Sequence, residues 1–284
     1  MSALTVAAAA GQGPWAKLRL KDVSKDFEGL DGQIYAAVRD INLEIRRGDF
    51  YCLLGPSGCG KSTILTLIAG FEKPTVGRIE IEGEGGAPAW RTSIEGPGTD
   101  RSMIFQDASA ALFPWLNVEE NILFGPRLRY ADRGQLSQIL DAYLRMVGLS
   151  QHVRKFPFEL SGGMKQRVQI ARSLIMEPEI LLMDEPFAAL DAITKRGLQQ
   201  ELSRIWQQTG KTVVYVTHDI IEALLLGTRV AVMTAGPAAR VKREIAIDLP
   251  QPRVTSSLEF VDAARTLEVL IEEEVHAART EAAQ

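Results

Sequence analysis

The stretch "FYCLLGPSGCGKSTILTLIAG" (Phe50–Gly70) constrains this chain more than any other. A continuous apolar run, as expected of a strand buried on both faces, enters it, and a segment with helical spacing leaves it. Between them Gly55, Gly60, Lys61 and Ser62 fit G-x-x-x-x-G-K-[ST], a phosphate-binding loop. The glycines let the backbone turn tightly and aim successive N–H groups at an anion. The following helix adds the positive end of its dipole. Lys61 can reach outer phosphates and Ser62 can offer its hydroxyl to Mg²⁺. Gly70 is the expected C-cap of that helix.

The flanking sequence is patterned to match. "KLRLKDVSKDF" (Lys17–Phe27) and "AAVRDINLEIRRGDF" (Ala36–Phe50) alternate polar and apolar residues, which predicts half-exposed antiparallel strands. "GRIEIEG" and "RSMIFQ" (Arg101–Gln106) are further strands, and "GEGGAPAWRTSIEGPGTD" between them is expected to be loop. From Asn117 to about Met176 the apolar period becomes helical, predicting a helical insert. "EILLMDEP" (Glu179–Pro186), "KTVVYVTHD" (Lys211–Asp219) and "RVAVMTAG" are then buried strands separated by helical segments. A mostly parallel sheet covered on both faces follows. "DLPQPR" (Asp248–Arg253) breaks the pattern, and a last helix is expected from Ser257 to about Arg279.

At 284 residues and 46% hydrophobic, the chain can bury a sizeable core. Its net charge of -4 argues against a general nucleic-acid binder, which needs a basic face. Its only cysteines, Cys52 and Cys59, do not form a disulfide framework, and a reducing compartment fits. Cys59 lies close to a helix N-terminus and to Lys61, which predicts a thiolate-biased, reactive thiol. The first 15 residues make a poor signal peptide and read as a loose tail. No apolar run approaches the roughly 18–20 residues that span a bilayer.

A second constellation gathers at strand ends, where ligands bind in open α/β sheets. Asp184 is a hard-oxygen ligand suited to Mg²⁺, and Glu185 is suited to polarise an attacking water. Gln106 and His218 follow strands of the same sheet, where they can reach metal, water or phosphate. "LSGGMKQRVQIAR" (Leu160–Arg172) supplies Ser161, Gly162 and Gly163 at a second helix start. That start lies beyond the helical insert, so a phosphate shared between two chains would satisfy both sites.

Together these residues resemble the ATP-binding subunit of an ABC transporter, over about Lys17 to Gly236. The resemblance makes "GPSGCGKST" the Walker A motif, with Gly55, Pro56, Ser57, Gly58, Cys59, Gly60, Lys61, Ser62 and Thr63 around the phosphates. It makes "ILLMDEP" Walker B, Gln106 the Q-loop, "LSGGM" the signature, "AALD" the D-loop ending in Asp191, and His218 the switch histidine. Phe27 stands where an aromatic stacks on adenine. Met164 stands where the signature commonly has Gln, and the D-loop has Ala where Ser is frequent.

The resemblance implies an α/β phosphate-loop core with an N-terminal antiparallel β subdomain and an inserted helical subdomain. The expected boundaries are a flexible tail at 1–16, an ATPase domain at 17–250 with its helical part at about 107–176, and a helical extension at 251–284. It also implies ATP and Mg²⁺ as ligands, with Lys61, Gln106, Glu185 and His218 catalytic and Ser62, Gln106 and Asp184 on the metal. Implied partners are a second copy of the chain, membrane permease subunits and, indirectly, a solute-binding protein, at the cytoplasmic face of a bacterial inner membrane.

"FQDASAALFPWLNVEENILFG" and "LPQPR" resemble importers for nitrate, taurine, alkanesulfonates and related compounds. Phe113, Pro114 and Trp115 are then a docking cluster for the permease, or else pack under the helical insert. Rival readings are a soluble ABC ATPase acting on DNA or ribosomes, and a small-molecule kinase.

Overall fold

The computed structural model describes residues 15–29, 32–83, 91–129 and 133–282. Strands β1 (Trp15–Glu28), β2 (Ile34–Arg46), β4 (Val76–Gly83) and β5 (Arg91–Ser93) form an antiparallel sheet in the order β2-β1-β4-β5. β1 begins at Trp15, a buried residue two positions ahead of the boundary read from sequence; residues 1–14 lie outside the described part. β5 corrects the expectation of loop throughout residues 83–100. Its residues are exposed and carry no apolar signal, and they are extended because they pair with Glu80–Glu82. Residues 84–90 of the same stretch lie outside the described part.

The second sheet has the order β10-β9-β3-β8-β7-β6. It comprises β3 (Phe50–Leu54), β6 (Arg101–Ile104), β7 (Ile180–Asp184), β8 (Thr212–Thr217), β9 (Arg229–Met233) and β10 (Val241–Ala246). Every pairing is parallel except β10 with β9. The continuous apolar runs are explained by burial on both faces. Phe50, Cys52, Leu54, Leu181, Met183, Val213 and Tyr215 join one core layer, while Tyr51, Leu53, Ile180, Leu182, Val214 and Val216 join the other. The second layer also takes α1 (Lys61–Ala69) and the inner face of the antiparallel sheet.

Between β6 and β7 run α2 (Ala108–Ala111), α3 (Val118–Arg129), α4 (Arg133–Met146), a 3-10 turn (Pro157–Glu159) and α5 (Gly162–Leu174). α6 (Ala192–Thr209) and α7 (Ile220–Leu226) connect β7, β8 and β9. α8 (Leu258–Ala282) buries Phe260, Ala264 and Leu267 in the first layer. No helix among the described residues is long and apolar enough to cross a membrane.

The topology places the chemistry. β3, β8, β7 and β6 are consecutive neighbours, and Leu54 pairs with Thr217, Asp184 with Val216, and Ile104 with Met183. All four carboxyl ends therefore open on one edge of the sheet.

Candidate functional site

The phosphate loop leaves β3 at Leu54 and ends on α1. Gly58 and Gly60 adopt left-handed backbone, φ 79° and 85°. At Gly60 a Cβ would also come within 2.5 Å of Val38 Cγ1 and 2.9 Å of the Ala37 carbonyl, so no side chain fits without displacing β2. Lys61 is buried, and its Nζ donates to the carbonyls of Gly55 (2.8 Å) and Pro56 (2.7 Å). That fixes the ammonium over the loop. Phosphate oxygens are charged acceptors and bind an ammonium more strongly than carbonyls do. Ser57, Gly58 and Ser62 are exposed beside it and Thr63 is half-buried. The loop fits a polyphosphate.

Cys59 behaves differently from the sequence expectation. Its thiol is fully buried in the core layer around α1, facing the space where a Cβ on Gly55 would stand. Burial raises its pKa, and the opposing pull of Lys61, with Nζ 3.8 Å from Sγ, is weaker. The thiolate is disfavoured there, because desolvation outweighs the nearby positive charge.

Ser62 Oγ donates to Asp184 Oδ1 at 2.9 Å. Burial lifts the Asp184 carboxyl above its ordinary value, the Ser62 hydroxyl opposes this, and the Glu185 charge adds to it. An alcohol and a carboxylate this close, at the edge of a phosphate loop, form the hard-oxygen set that Mg²⁺ takes with substrate phosphates and water. The residues fit the ion. Gln106 lies two residues beyond β6, exposed on the same sheet edge.

Glu185 takes a left-handed backbone conformation, φ 40°, and its N–H donates to the Val216 carbonyl of β8 at 3.1 Å. Such strain persists where surrounding bonds over-determine it, and it clusters at functional sites. Its Oε2 lies 2.9 Å from His218 Nδ1, and the imidazole is exposed. The structure thus joins Lys61 to the loop, Ser62 to Asp184, and Glu185 to His218.

Three expected site regions stand apart from these contacts. Ser161 caps α5, accepting from the Met164 N–H at 3.3 Å, so the backbone of Met164 and not its side chain makes the cap. Gly163 is buried, and a Cβ there would come within 2.6 Å of Thr194 Cγ2; Gly162 is exposed. Asp191 caps α6, accepting from Ile193 and Thr194 N–H, and those bonds hold its carboxyl below the ordinary range. Phe27 is 39% exposed on β1, with Lys25 Nζ 4.8 Å from its ring centre.

The aromatic cluster is larger than the sequence indicates. Trp115 is 70% exposed, 5.7 Å centroid to centroid from Phe113, which packs in a tilted contact at 4.5 Å against the exposed Phe124 of α3. Phe71 and Phe105 form a second exposed stacked pair. Sequence reading missed Asn121, which holds the Phe113–Leu116 turn. Its Oδ1 accepts from Phe113 N–H at 2.9 Å, and its Nδ2 donates to Phe113, Leu116 and Asn117 carbonyls. The available signal was an amide one helical turn past the N-cap Asn117, on an otherwise apolar face.

Phosphate loop, strand-end acids and histidine on a mostly parallel sheet define a phosphate-loop nucleotide hydrolase. Comparison with known proteins narrows this. Residues 38–188 match the family described as ABC transporter. The chain is 45% identical over 233 residues to the nitrate import ATP-binding protein NrtD of Synechococcus elongatus, covering 81% of each. It is 40% identical over 244 residues to the taurine import ATP-binding protein TauB of Jannaschia sp., covering 86% of this chain and 87% of that one. The fold matches the dimeric ATP-binding cassette MJ0796 in a post-hydrolysis state bound to ADP and Pi, with TM-score 0.69, 32% identity, and coverage of 81% and 98%. The chain belongs to the ABC transporter family, among its ATP-binding, ATP-hydrolysing subunits.

Proposed function

We propose that two copies of this chain hydrolyse Mg-ATP to drive a membrane importer of small solutes of the nitrate, taurine or sulfonate kind. The observation that carries the chemistry is the strand-end pairing of Ser62 with Asp184 and of Glu185 with His218 beside the phosphate loop. The importer reading is supported by the nitrate and taurine import ATP-binding proteins to which the chain is similar over most of its length. The same relatives disfavour action on nucleic acid or ribosomes.

In this reading Lys61 and the loop N–H groups, from Gly55 through Thr63, hold the phosphates. Phe27 offers its exposed ring face to adenine. Ser62, Asp184 and Gln106 hold Mg²⁺, which when bound neutralises charge on the transferring phosphoryl group. Glu185 accepts the proton of the attacking water. His218, oriented by its bond to Glu185, donates to the γ-phosphate. Ser161, Gly162 and Gly163 of one copy complete the nucleotide site of the other, and Asp191 lies in the contact between copies. Closing the pair moves the permease subunits, and hydrolysis reopens it.

The exposed Trp115 and its aromatic neighbours dock the permease, placing the chain peripherally at the cytoplasmic face of the membrane, with a solute-binding protein acting through the permease. The test is reconstitution with the permease and binding protein in vesicles. Solute uptake that requires ATP on the cytoplasmic side supports the reading, and ATP hydrolysis that never couples to uptake of any anion or sulfonate contradicts it.

A further inference from the structure

Next to His218 in the chain lies a buried polar cluster that the chemistry above does not use. Glu222 is 3% exposed and sits in the first turn of α7. Asp219 and Glu222 have the spacing of a capping box, in which the second acid reaches back to the N-cap N–H. Here Glu222 does not. Asp219 Oδ1 caps α7 by accepting from Ile221 and Glu222 N–H, while the Asp219 N–H donates to Thr217 Oγ1 at 3.0 Å.

The Glu222 carboxylate turns inward and meets four donors: Thr217 Oγ1 (2.6 Å), Tyr215 Oη (3.1 Å), Gln199 Nε2 (3.1 Å) and Lys195 Nζ (2.9 Å). Lys195 Nζ also bonds Asp219 Oδ2 at 2.8 Å. A carboxylate withdrawn from water is tolerated where its charge is paired and its lone pairs are met. Burial would lower the affinity of Lys195 for its proton, yet its two acid partners hold it above the ordinary value.

The cluster joins two parts of the proposed machinery. Thr217 and Asp219 are the residues on either side of His218, and both side chains belong to it. Lys195 and Gln199 come from α6, one turn apart on a single face. The Lys195 N–H bonds the carbonyl of Asp191, where α6 starts. The Glu222 carboxylate and the Lys195 ammonium together thus tie the start of α6 to both chain neighbours of His218.

We infer that Glu222 and Lys195 are positioning residues, which hold His218 against Glu185 and couple that pair to the Asp191 end of α6. This rests on the ATPase reading given above. Neither residue is among those assigned to the nucleotide, and both side chains are engaged by protein groups. Their loss should lower turnover through the placement of His218 and leave nucleotide binding intact.

The experiment uses the purified full chain with Mg-ATP. Glu222→Gln is expected to lower kcat by about tenfold or more with KM for ATP within about twofold of the parent. In a ¹H–¹⁵N spectrum of the histidine side chains, the His218 resonance is expected to move while those of His152 and His276 stay. Lys195→Met should give the same pattern, and it carries both readouts if Glu222→Gln does not fold. Parent-like kcat, or lost activity with an unmoved His218 resonance, overturns the inference. The second outcome would make the cluster a stabiliser of the fold alone. Absence of hydrolysis in the parent overturns the ATPase reading instead, and the His218 resonance then still decides the positioning role.

Discussion

Ser62 Oγ and Asp184 Oδ1 lie 2.9 Å apart although 122 residues separate them in the chain. The contact exists because β3 and β7 flank β8 and end on one edge of the sheet. If these groups share Mg²⁺, replacing the carboxylate by an amide removes a charged ligand and leaves the shape. Asp184→Asn is expected to raise the Mg²⁺ concentration for half-maximal ATPase by roughly 10- to 100-fold. A magnesium titration of the purified variant checks this, and a parent-like midpoint would remove Asp184 from the metal site.

Trp115 is held out from the surface by a turn that Asn121 fixes. An aromatic anchor buried at a partner interface contributes about 2 kcal/mol or more. Trp115→Ala is therefore expected to reduce co-purification with the permease roughly thirtyfold or more, with ATPase of the isolated chain unchanged. Full co-purification would return the cluster to a packing role within the helical region.

Both thiols are sealed in the core, and burial raises the pKa of each. A thiol whose pKa is raised carries less thiolate at any pH below that pKa, so alkylation slows relative to an exposed cysteine. Native protein is expected to react with maleimide at a small fraction of its rate in denaturant, with Mg-ATP making little difference. Mass spectrometry of labelled Cys52 and Cys59 measures it. Rapid, ATP-protected labelling of Cys59 would show that the loop opens to expose the thiol.

Ser161 caps α5 with its side chain at the surface. If this edge meets the nucleotide of a second copy, Ser161→Arg fills that site without touching the phosphate loop of its own chain. The variant is expected to bind ATP normally as a monomer and to lose ATP-dependent pairing, read by light scattering. Undiminished pairing would place the contact between copies elsewhere.

Much of this architecture is legible in the sequence because burial on both faces writes continuous apolar runs. Those runs located β3, β7, β8 and β9, and the polar residues just beyond them located Asp184, Glu185 and His218. β5 and β10 were not legible. β5 is exposed and extended only through pairing with β4, and β10 has no fully buried position and no two-residue alternation of buried with exposed side chains. Cys59 was misread because charge proximity was visible in sequence and the direction of its side chain was not. Glu222 has the sequence spacing of an ordinary capping acid, and its inward turn depends on donors from the distant α6 as well as from neighbouring β8.

In the proposed enzyme Glu185 removes the proton from water while two copies enclose ATP. The direct measurement compares Glu185→Gln with the parent for ATP hydrolysis and for ATP-dependent pairing. The amide keeps the shape and loses the base, so hydrolysis is expected to fall by about 100-fold or more. ATP binding should be retained, and the variant should accumulate as a dimer in Mg-ATP. Hydrolysis at the parent's rate would contradict the role of Glu185, and a variant that binds ATP yet stays monomeric would contradict the paired enzyme.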